Sequence, residues 1–470
     1  MKSYKRIVLL SFSFLLILAP LNILGVDTDG DGLSDADETS LANTYLPTMQ
    51  FVDGELFFPA SIEYHLSNSI LKQKVGDTIV TVDASPTIPE ISVLTNVNDN
   101  YFLENSLSFE EISQDYDQWK DVNGYFVYAH VKPDMEGSES YIVIQYWLFY
   151  AFNNGPLNDH QGDWEVIEVI LNSSEEPLYA SYSQHESGEK TSWANVEKVD
   201  GTHPKVYIAK GSHANYFRSY QGNLGIESDI VGDNGQMINW NELQVVLLGE
   251  EGTGSQGWLK FAGRWGALGG GAEELRGRNG PLGPKYSQDG EKWQSPASWG
   301  LGLFAVDGNW FLMNWIVANF LLIFSILIIA LVIWKVYGIV KLHRKGGLRL
   351  WAFLKTKASV GIVLGIIGIV LTAMALFLPW YSVTMNIQSG PFSTDGNVDV
   401  LVIDGIRGVQ VNLLGDGLVQ FFGMKIPFLI IILAIVLLSI LDLIGMKSAR
   451  QMGRKYITGG ITILIPVIII

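Results

Sequence analysis

The chain has 470 residues, a net charge of −17, a pI near 4.8 and a mean hydropathy of +0.21. A soluble acidic domain is not net hydrophobic, and a pure membrane protein seldom carries 48 carboxylates, so the chain is composite. The absence of cysteine excludes disulfides, thiolate metal sites and a cysteine nucleophile. Charge divides by region: +3 over residues 1–26, −28 over 27–310 and +8 over 311–470. The −28 segment argues against nucleic acid as a partner, because a polyanion is repelled, and it suits a domain that attracts cations.

In chain order, Lys2, Lys5 and Arg6 precede an apolar run at 7–19, with small residues such as Gly25 after it. That is the pattern of a secretory signal over 1–25, with an uncleaved anchor as the alternative. Next comes Asp27-Thr-Asp29-Gly-Asp31-Gly32-Leu33-Ser-Asp35-Ala-Asp37-Glu38. Residues 27–38 match a 12-residue EF-hand loop, with carboxylates at positions 1, 3, 5, 9 and 12 and glycine at 6. Asp27, Asp29, Asp31, Asp35 and Glu38 would give side-chain oxygens to Ca2+, and Leu33 its backbone carbonyl. The loop resembles those of thrombospondin type 3 repeats and dockerins. The signal lies directly upstream, where an incoming helix would stand, so a structural clip is expected rather than a calcium sensor. Residues 39–45 are expected to form the outgoing helix.

From 42 to 302 the pattern is mainly β. Residues 125–132, 141–150, 165–171, 178–183 and 205–209 are rich in β-branched and aromatic types between Gly, Asn, Pro and Ser clusters. One helix is expected around 109–119, and 249–302 reads as a long Gly- and Trp-rich loop region. Short strands with turn signals over this length suggest a β-sandwich or jelly roll.

The motif Asn158-Asp159-His160-Gln-Gly162-Asp163-Trp164-Glu165 opens one of these strands. Alternation puts Asp163 and Glu165 on one face, with His160 in the preceding turn. These three are candidate ligands of a second divalent cation. Buried, hydrogen-bonded imidazoles are the competing explanation, and for His185 and His203 the favoured one. Trp193, Trp258 and Trp265 would fill the core or stack on a sugar.

Beyond 310 the chain reads as an α-helical membrane domain of about four spans, at 311–337, 358–379, 426–445 and 456–470, the last short at 15 residues. The loop 338–357 is basic, as is the stretch after the third span, while 380–425 carries Asp395, Asp399, Asp404 and Asp416. The positive-inside bias therefore puts 27–310 and 380–425 outside the cell membrane. A hairpin is expected across 398–411. Asp442 is the one charge near a span, so the region reads as an anchor rather than a transporter.

The motifs Gln145-Tyr146-Trp147-Leu-Phe149-Tyr150, Gly162-Asp163-Trp164-Glu165, Ser183-Gln-His185, His203-Pro204, Gly211-Ser212-His213-Ala-Asn215-Tyr216, Gly263-Arg-Trp265-Gly266 and Gly280-Pro281-Leu-Gly283-Pro284, with Phe57-Phe58-Pro59 at the start, resemble the vacuolar protein sorting-associated 62 family. That family is distantly similar to the necrosis- and ethylene-inducing-like proteins, β-sandwich cytolysins that engage sphingolipid sugar headgroups through a divalent cation. The resemblance implies His160, Asp163 and Glu165 as ligands and adds His213 as a later histidine. It places an upstream aspartate near Asn153 or Asn154, where this chain lacks the charge. His185, His203, Asn154 and Asn215 are candidates for ligand contact or support.

Three functions stay open at this point. The first is a membrane-anchored, non-catalytic surface module that binds divalent cations and a glycan or lipid headgroup. The second is a metal-dependent hydrolase with His185 as general base. The third is a cytolysin-like membrane-interacting protein. The mixed His and carboxylate set suits zinc or manganese better than calcium, and the second cation is left unidentified.

Overall fold

The computed structural model describes residues 25–155, 159–185, 187–224, 229–268 and 279–319, helical residues scattered between 323 and 344, and strands at 379–387, 396–404, 408–411 and 419–420. The domain is mainly β, built from open sheets.

The central sheet has seven strands. In spatial order they are Leu243–Leu248, Tyr125–Glu136, Glu139–Asn153, His160–Asn172, Pro177–Gln184, Ser187–Ser192 and Phe304–Ala305. The five inner strands are antiparallel in succession, as short turns between β-favouring runs require. Each edge is closed by a parallel strand from far along the chain, Leu243 opposite Tyr125 and Phe304 opposite Glu189. Residues 142–151 and 162–171 are buried without interruption, so the middle of the sheet is covered on both faces. The Pro296–Gly302 helix packs across four of its strands, and the Asp35–Thr44 and Phe109–Asn123 helices also lie against it.

A smaller sheet orders Lys198–Val199, His203–Ile208, Thr48–Gln50 and Met237–Ile238, with Asn215–Tyr216 also paired to His203–Ile208. Its Met49, Val206 and Ile208 share one core with Val166 and Ile167 of the central sheet. Each such side chain contributes roughly 1.5–3 kcal/mol by leaving water. The Phe109–Asn123 helix is set by a capping box, in which Ser108 Oγ accepts from Glu111 N and Glu111 accepts from Ser108 N. It buries Ile112 and Tyr116, one turn apart.

Two expectations need correction. The first helix begins at Asp35, inside the acidic loop, because Ser34 Oγ accepts from Asp37 N and caps it there. Residues 249–302 are also not one long loop. They contain 3-10 turns at Gly254–Lys260 and Pro284–Gly290 and helices at Glu291–Gln294 and Pro296–Gly302. Buried Trp258, Trp293 and Trp299 anchor these turns, an organisation with no period to read.

After 307 a helix runs Gly308–Ala318, capped by Asp307, which accepts from Asn309 N and Trp310 N. Among the described residues no helix is long and apolar enough to cross a membrane. The expected signal at 1–24 and the apolar runs at 358–378, 426–445 and 456–470 lie outside the described residues, as does part of 311–337. Within 380–425, Pro379–Ile387, Gly396–Asp404, Gly408–Val411 and Val419–Gln420 form an antiparallel sheet that includes a 396–411 hairpin.

Candidate functional site

Two acidic clusters stand out. In the N-terminal loop, Gly30 (φ +80°) and Gly32 (φ +101°) permit the left-handed turns that fold the chain around its own carboxylates. Asp27 accepts from Gly30 N at 2.7 Å and Gly32 N at 3.1 Å. Asp31 Oδ1 accepts from Leu33 N at 2.8 Å. Asp29 Oδ2 accepts from Glu250 N at 3.0 Å, and partly buried Leu33 packs on the main core, so the loop is fastened to the domain. Asp27, Asp29 and Asp31 each place an oxygen within 4.8 Å of the others. Asp29 Oδ1, Asp31 Oδ2 and Glu38 Oε1 are buried and have no hydrogen-bond partner among the described residues. Burial, then the charges of Asp29 and Asp31, pushes the Glu38 carboxyl up to about 8. Burial also raises Asp31, with Asp29 and Asp27 adding to it against the Leu33 N–H bond. Buried acceptors without donors are costly, and a set of hard oxygens at this spacing fits a calcium ion. Asp35 lies outside that converging trio, and its two oxygens accept from Thr28, from N at 2.8 Å and Oγ1 at 2.6 Å.

The second cluster lies at the start of the His160–Asn172 strand. Gly162 has φ +66°, and a Cβ there would sit 1.8 Å from the Trp265 carbonyl oxygen. Only glycine lets the 160–163 backbone press against Trp265. His160 is buried and its Nδ1 lies 2.6 Å from Gly162 O. A carbonyl only accepts, so Nδ1 donates here, which leaves Nε2 as the ring nitrogen that could face a metal.

Asp163 Oδ2 accepts from His213 Nδ1 at 2.9 Å and from Asn153 Nδ2 at 3.0 Å. His213 is fully buried, left-handed at φ +55°, and stacked on Tyr150 at 3.8 Å. Its Nε2 faces Glu55 Oε1 at 3.8 Å, an ion-pair distance too long for a hydrogen bond. Glu55 is held in turn by Leu56 N at 2.8 Å, Phe57 N at 3.0 Å and Gly211 N at 2.7 Å. Burial would lower the His213 imidazole, but Asp163 and Glu55 hold it up at about 9. Burial would raise Asp163, yet His213 and then His160 carry it below its ordinary value. With both ring nitrogens turned to carboxylates, His213 is a counter-charge here.

Glu165 accepts a short hydrogen bond from Ser183 Oγ. Ser183 Oγ also accepts from Val166 N at 2.8 Å, and Asn215 Nδ2 donates to Ser183 O at 3.3 Å. Burial, then Asp163, pushes Glu165 up to about 8. Asn153, rather than Asn154, touches Asp163. Asn154 N donates to Gly211 O at 2.9 Å, and its buried Oδ1 has no partner among the described residues, nor has Asn215 Oδ1.

The other two candidate histidines are occupied otherwise. His185 Nε2 donates to Asp229 Oδ2 at 2.8 Å, and Asp229 also accepts from Ser212 Oγ at 2.5 Å and Tyr216 OH at 2.7 Å. His203 Nδ1 donates to Leu46 O at 2.8 Å, and its ring stacks on Trp240 at 4.1 Å. Trp258 and Trp265 are core residues, and Trp193 packs at its edge.

The fold thus brings His160, Asp163 and His213 together, with Glu165 beside them. It does not gather the four as a ligand set. Among the described residues the one group of three whose ligand atoms converge is Asp27, Asp29 and Asp31. Glu55, Tyr150, Ser183, Ser212 and Asp229 belong to the same polar network; Tyr150, Ser183 and Ser212 stood inside the family motifs, and Glu55 and Asp229 carried no sequence signal.

A β-rich domain with a buried histidine–carboxylate cluster at the head of its central strands is the class defined so far. The sequence pattern of vacuolar protein sorting-associated protein 62 matches residues 33–268, half of the chain, and the chain belongs to that family. None of the curated proteins matches it. Solved structures similar to it include "NLPPya in complex with mannosamine", at 16% identity, covering 44% of this chain and 72% of that one with a TM-score of 0.23. The same protein in complex with glucosamine is 14% identical, over 46% and 76%, with a TM-score of 0.23. Necrosis and ethylene inducing protein 2, from the causal agent of witches' broom disease of cocoa, is 17% identical over 44% and 72%, again at 0.23. Overlap of this extent transfers no ligand to this chain.

Proposed function

We propose that this chain is a membrane-anchored, non-catalytic surface protein whose external β-sandwich binds divalent cations and presents a site for a glycan or lipid headgroup. The observation that carries the cation reading is the trio of buried, donor-less acceptors, Asp29 Oδ1, Asp31 Oδ2 and Glu38 Oε1. Calcium held there supplies the positive charge these carboxylates lack and ties the chain start to Glu250. The second divalent cation belongs to His160 Nε2 with Asp163 and Glu165, and it would bind sugar or phosphate oxygens through its open positions. The headgroup ligand is the class that the family resemblance implies. The signal-like start, the basic loops and the apolar runs support the anchor and the external placement.

The test is calorimetry with Ca2+ on the detergent-solubilised full chain, together with glycan and lipid arrays probed with and without chelator. Calcium binding that is lost in Glu38→Gln, with chelator-sensitive array binding lost in His160→Ala, is the expected result. No cation uptake would sink the reading. Metal-dependent turnover of a phosphoester or glycoside would overturn its non-catalytic part.

A further inference from the structure

The Gly308–Ala318 helix does not leave the domain as a free stalk. Ala318 packs into a small satellite core made by Tyr207, Ala209, Ala214, Tyr216, Tyr220, Leu224 and Val231. Asn319 Nδ2 donates to Tyr220 O at 3.1 Å, and the Arg218 guanidinium lies 4.2 Å from the Phe311 ring centroid. Gly222 is pressed against the helix, since a Cβ there would meet Ala318 O at 2.5 Å. The same satellite core supports the site loop. Ala214 and Tyr216 flank Asn215, follow Ser212 and His213, and Tyr216 OH binds Asp229 beside His185.

The outward side of this helix carries Trp310, Leu312, Met313, Trp315, Ile316 and Val317, all 39–58% exposed. A two-tryptophan apolar face is what the headgroup layer of a bilayer accepts. The sequence continues from it directly into the apolar run that starts at Phe320. A span counted from 320 to 340 rather than from 311 still reaches roughly 30 Å at about 1.5 Å per residue, with Lys335 near its far end, where a lysine side chain reaches out to the interface. The polar tie at Asn319 agrees with the later start.

We infer that the Gly308–Ala318 helix and the paired strands Gly222–Leu224 and Asp229–Val231 lie in the headgroup layer of the membrane that anchors the chain. They hold the 211–216 site loop beside that layer. The ligand is then a lipid headgroup of the same membrane rather than a sugar on another surface. This rests on the anchor reading above.

The chain has no cysteine, so single labels are clean. Ile230→Cys, Met313→Cys and Val75→Cys, at exposed positions, each carry a fluorophore in the full chain. The variants are reconstituted in phosphatidylcholine–galactosylceramide vesicles containing headgroup spin-labelled lipid. Loss of fluorescence at Ile230 and Met313, with little loss at Val75, is expected. An Ile230 label as bright as in detergent, in a chain that resists carbonate extraction, overturns the inference and leaves the anchor standing. Met313→Cys keeps the same reading available where Ile230→Cys does not fold. Release by carbonate overturns the anchor, and the inference with it. Clustering of chain-bearing vesicles with chain-free galactosylceramide vesicles would show a ligand taken from a second membrane and would overturn the same-membrane assignment.

Discussion

In the 27–38 loop, carboxylates face one another with no cation supplied by the protein, and three of their oxygens are buried without donors. In the Asp163 cluster a more deeply buried set is neutralised from within. His213 stands between Asp163 and Glu55, Asn153 donates to Asp163, and Ser183 donates to Glu165. The first arrangement has no positive charge of its own among the described residues, whereas the second has a counter-charge built in. Carboxylate spacing alone therefore does not say whether a site needs metal. What decides is where the compensating charge comes from.

The sharpest way to break the contrast is His213→Leu. It leaves two carboxylates buried and unpaired, and denaturant unfolding should show a loss of about 3–5 kcal/mol. A loss under about 1 kcal/mol would mean that Asp163 and Glu55 are not held charged in the fold.

Calcium removal comes next. At a hundredfold excess over its dissociation constant the ion adds about 2.7 kcal/mol, so chelation should lower the melting temperature measurably. Glu38→Gln makes the loop resemble the other cluster by removing a charge. It should abolish the calcium response while raising ion-free stability. The sign with pH follows. In the ion-free protein the folded state keeps the Glu38 proton up to about 8, against an ordinary 4.5. Stability therefore falls as pH rises across that window, and the trend should vanish in Glu38→Gln or with calcium. A flat ion-free profile would contradict the raised carboxyl.

Ser183→Ala removes one donor from Glu165 and should cost about 1–3 kcal/mol. No change on unfolding would mean that water replaces the hydroxyl without loss. The smallest effect at neutral pH is expected for His65→Phe. His65 is fully buried among Phe149 and Trp265, and burial lowers its imidazole from 6.5 to about 4. Below pH 6.5 the unfolded chain takes up a proton that the folded one refuses, so the native protein loses stability down to about pH 4. The variant should lack that limb in acid titrations followed by circular dichroism.

The convergence of Asp27, Asp29 and Asp31 was legible because the three stand at alternate positions of one short run, so spacing alone carries it. The inner strands were legible because Val, Ile, Tyr and Trp dominate 141–150 and 165–171. The pairing of Asp35 with Thr28 inside the same loop was not legible, because position counting does not see hydrogen bonds. Glu55, Asp229 and Glu250 escaped notice because each meets its partner across a long stretch of chain, and no period marks such pairs. His213 entered the candidate set through the family resemblance, and nothing in its own stretch of chain announces that Glu55 stands behind it. The parallel edge strand Leu243–Leu248 was likewise beyond reach, since its register against Tyr125 is fixed by the tertiary fold.

The hydrogen bond from Glu250 N to Asp29 joins residues 221 positions apart. For a chain that leaves a cell amino terminus first, this sets an order of assembly. The acidic loop emerges early, yet its last tie arrives only after more than two hundred further residues have followed. The Thr48–Gln50 strand also waits for 205–207, its parallel partner. Folding dominated by such distant pairings is slow. The acidic loop therefore lacks its tie to Glu250 until the rest of the domain has been made, and it gains its finished shape late.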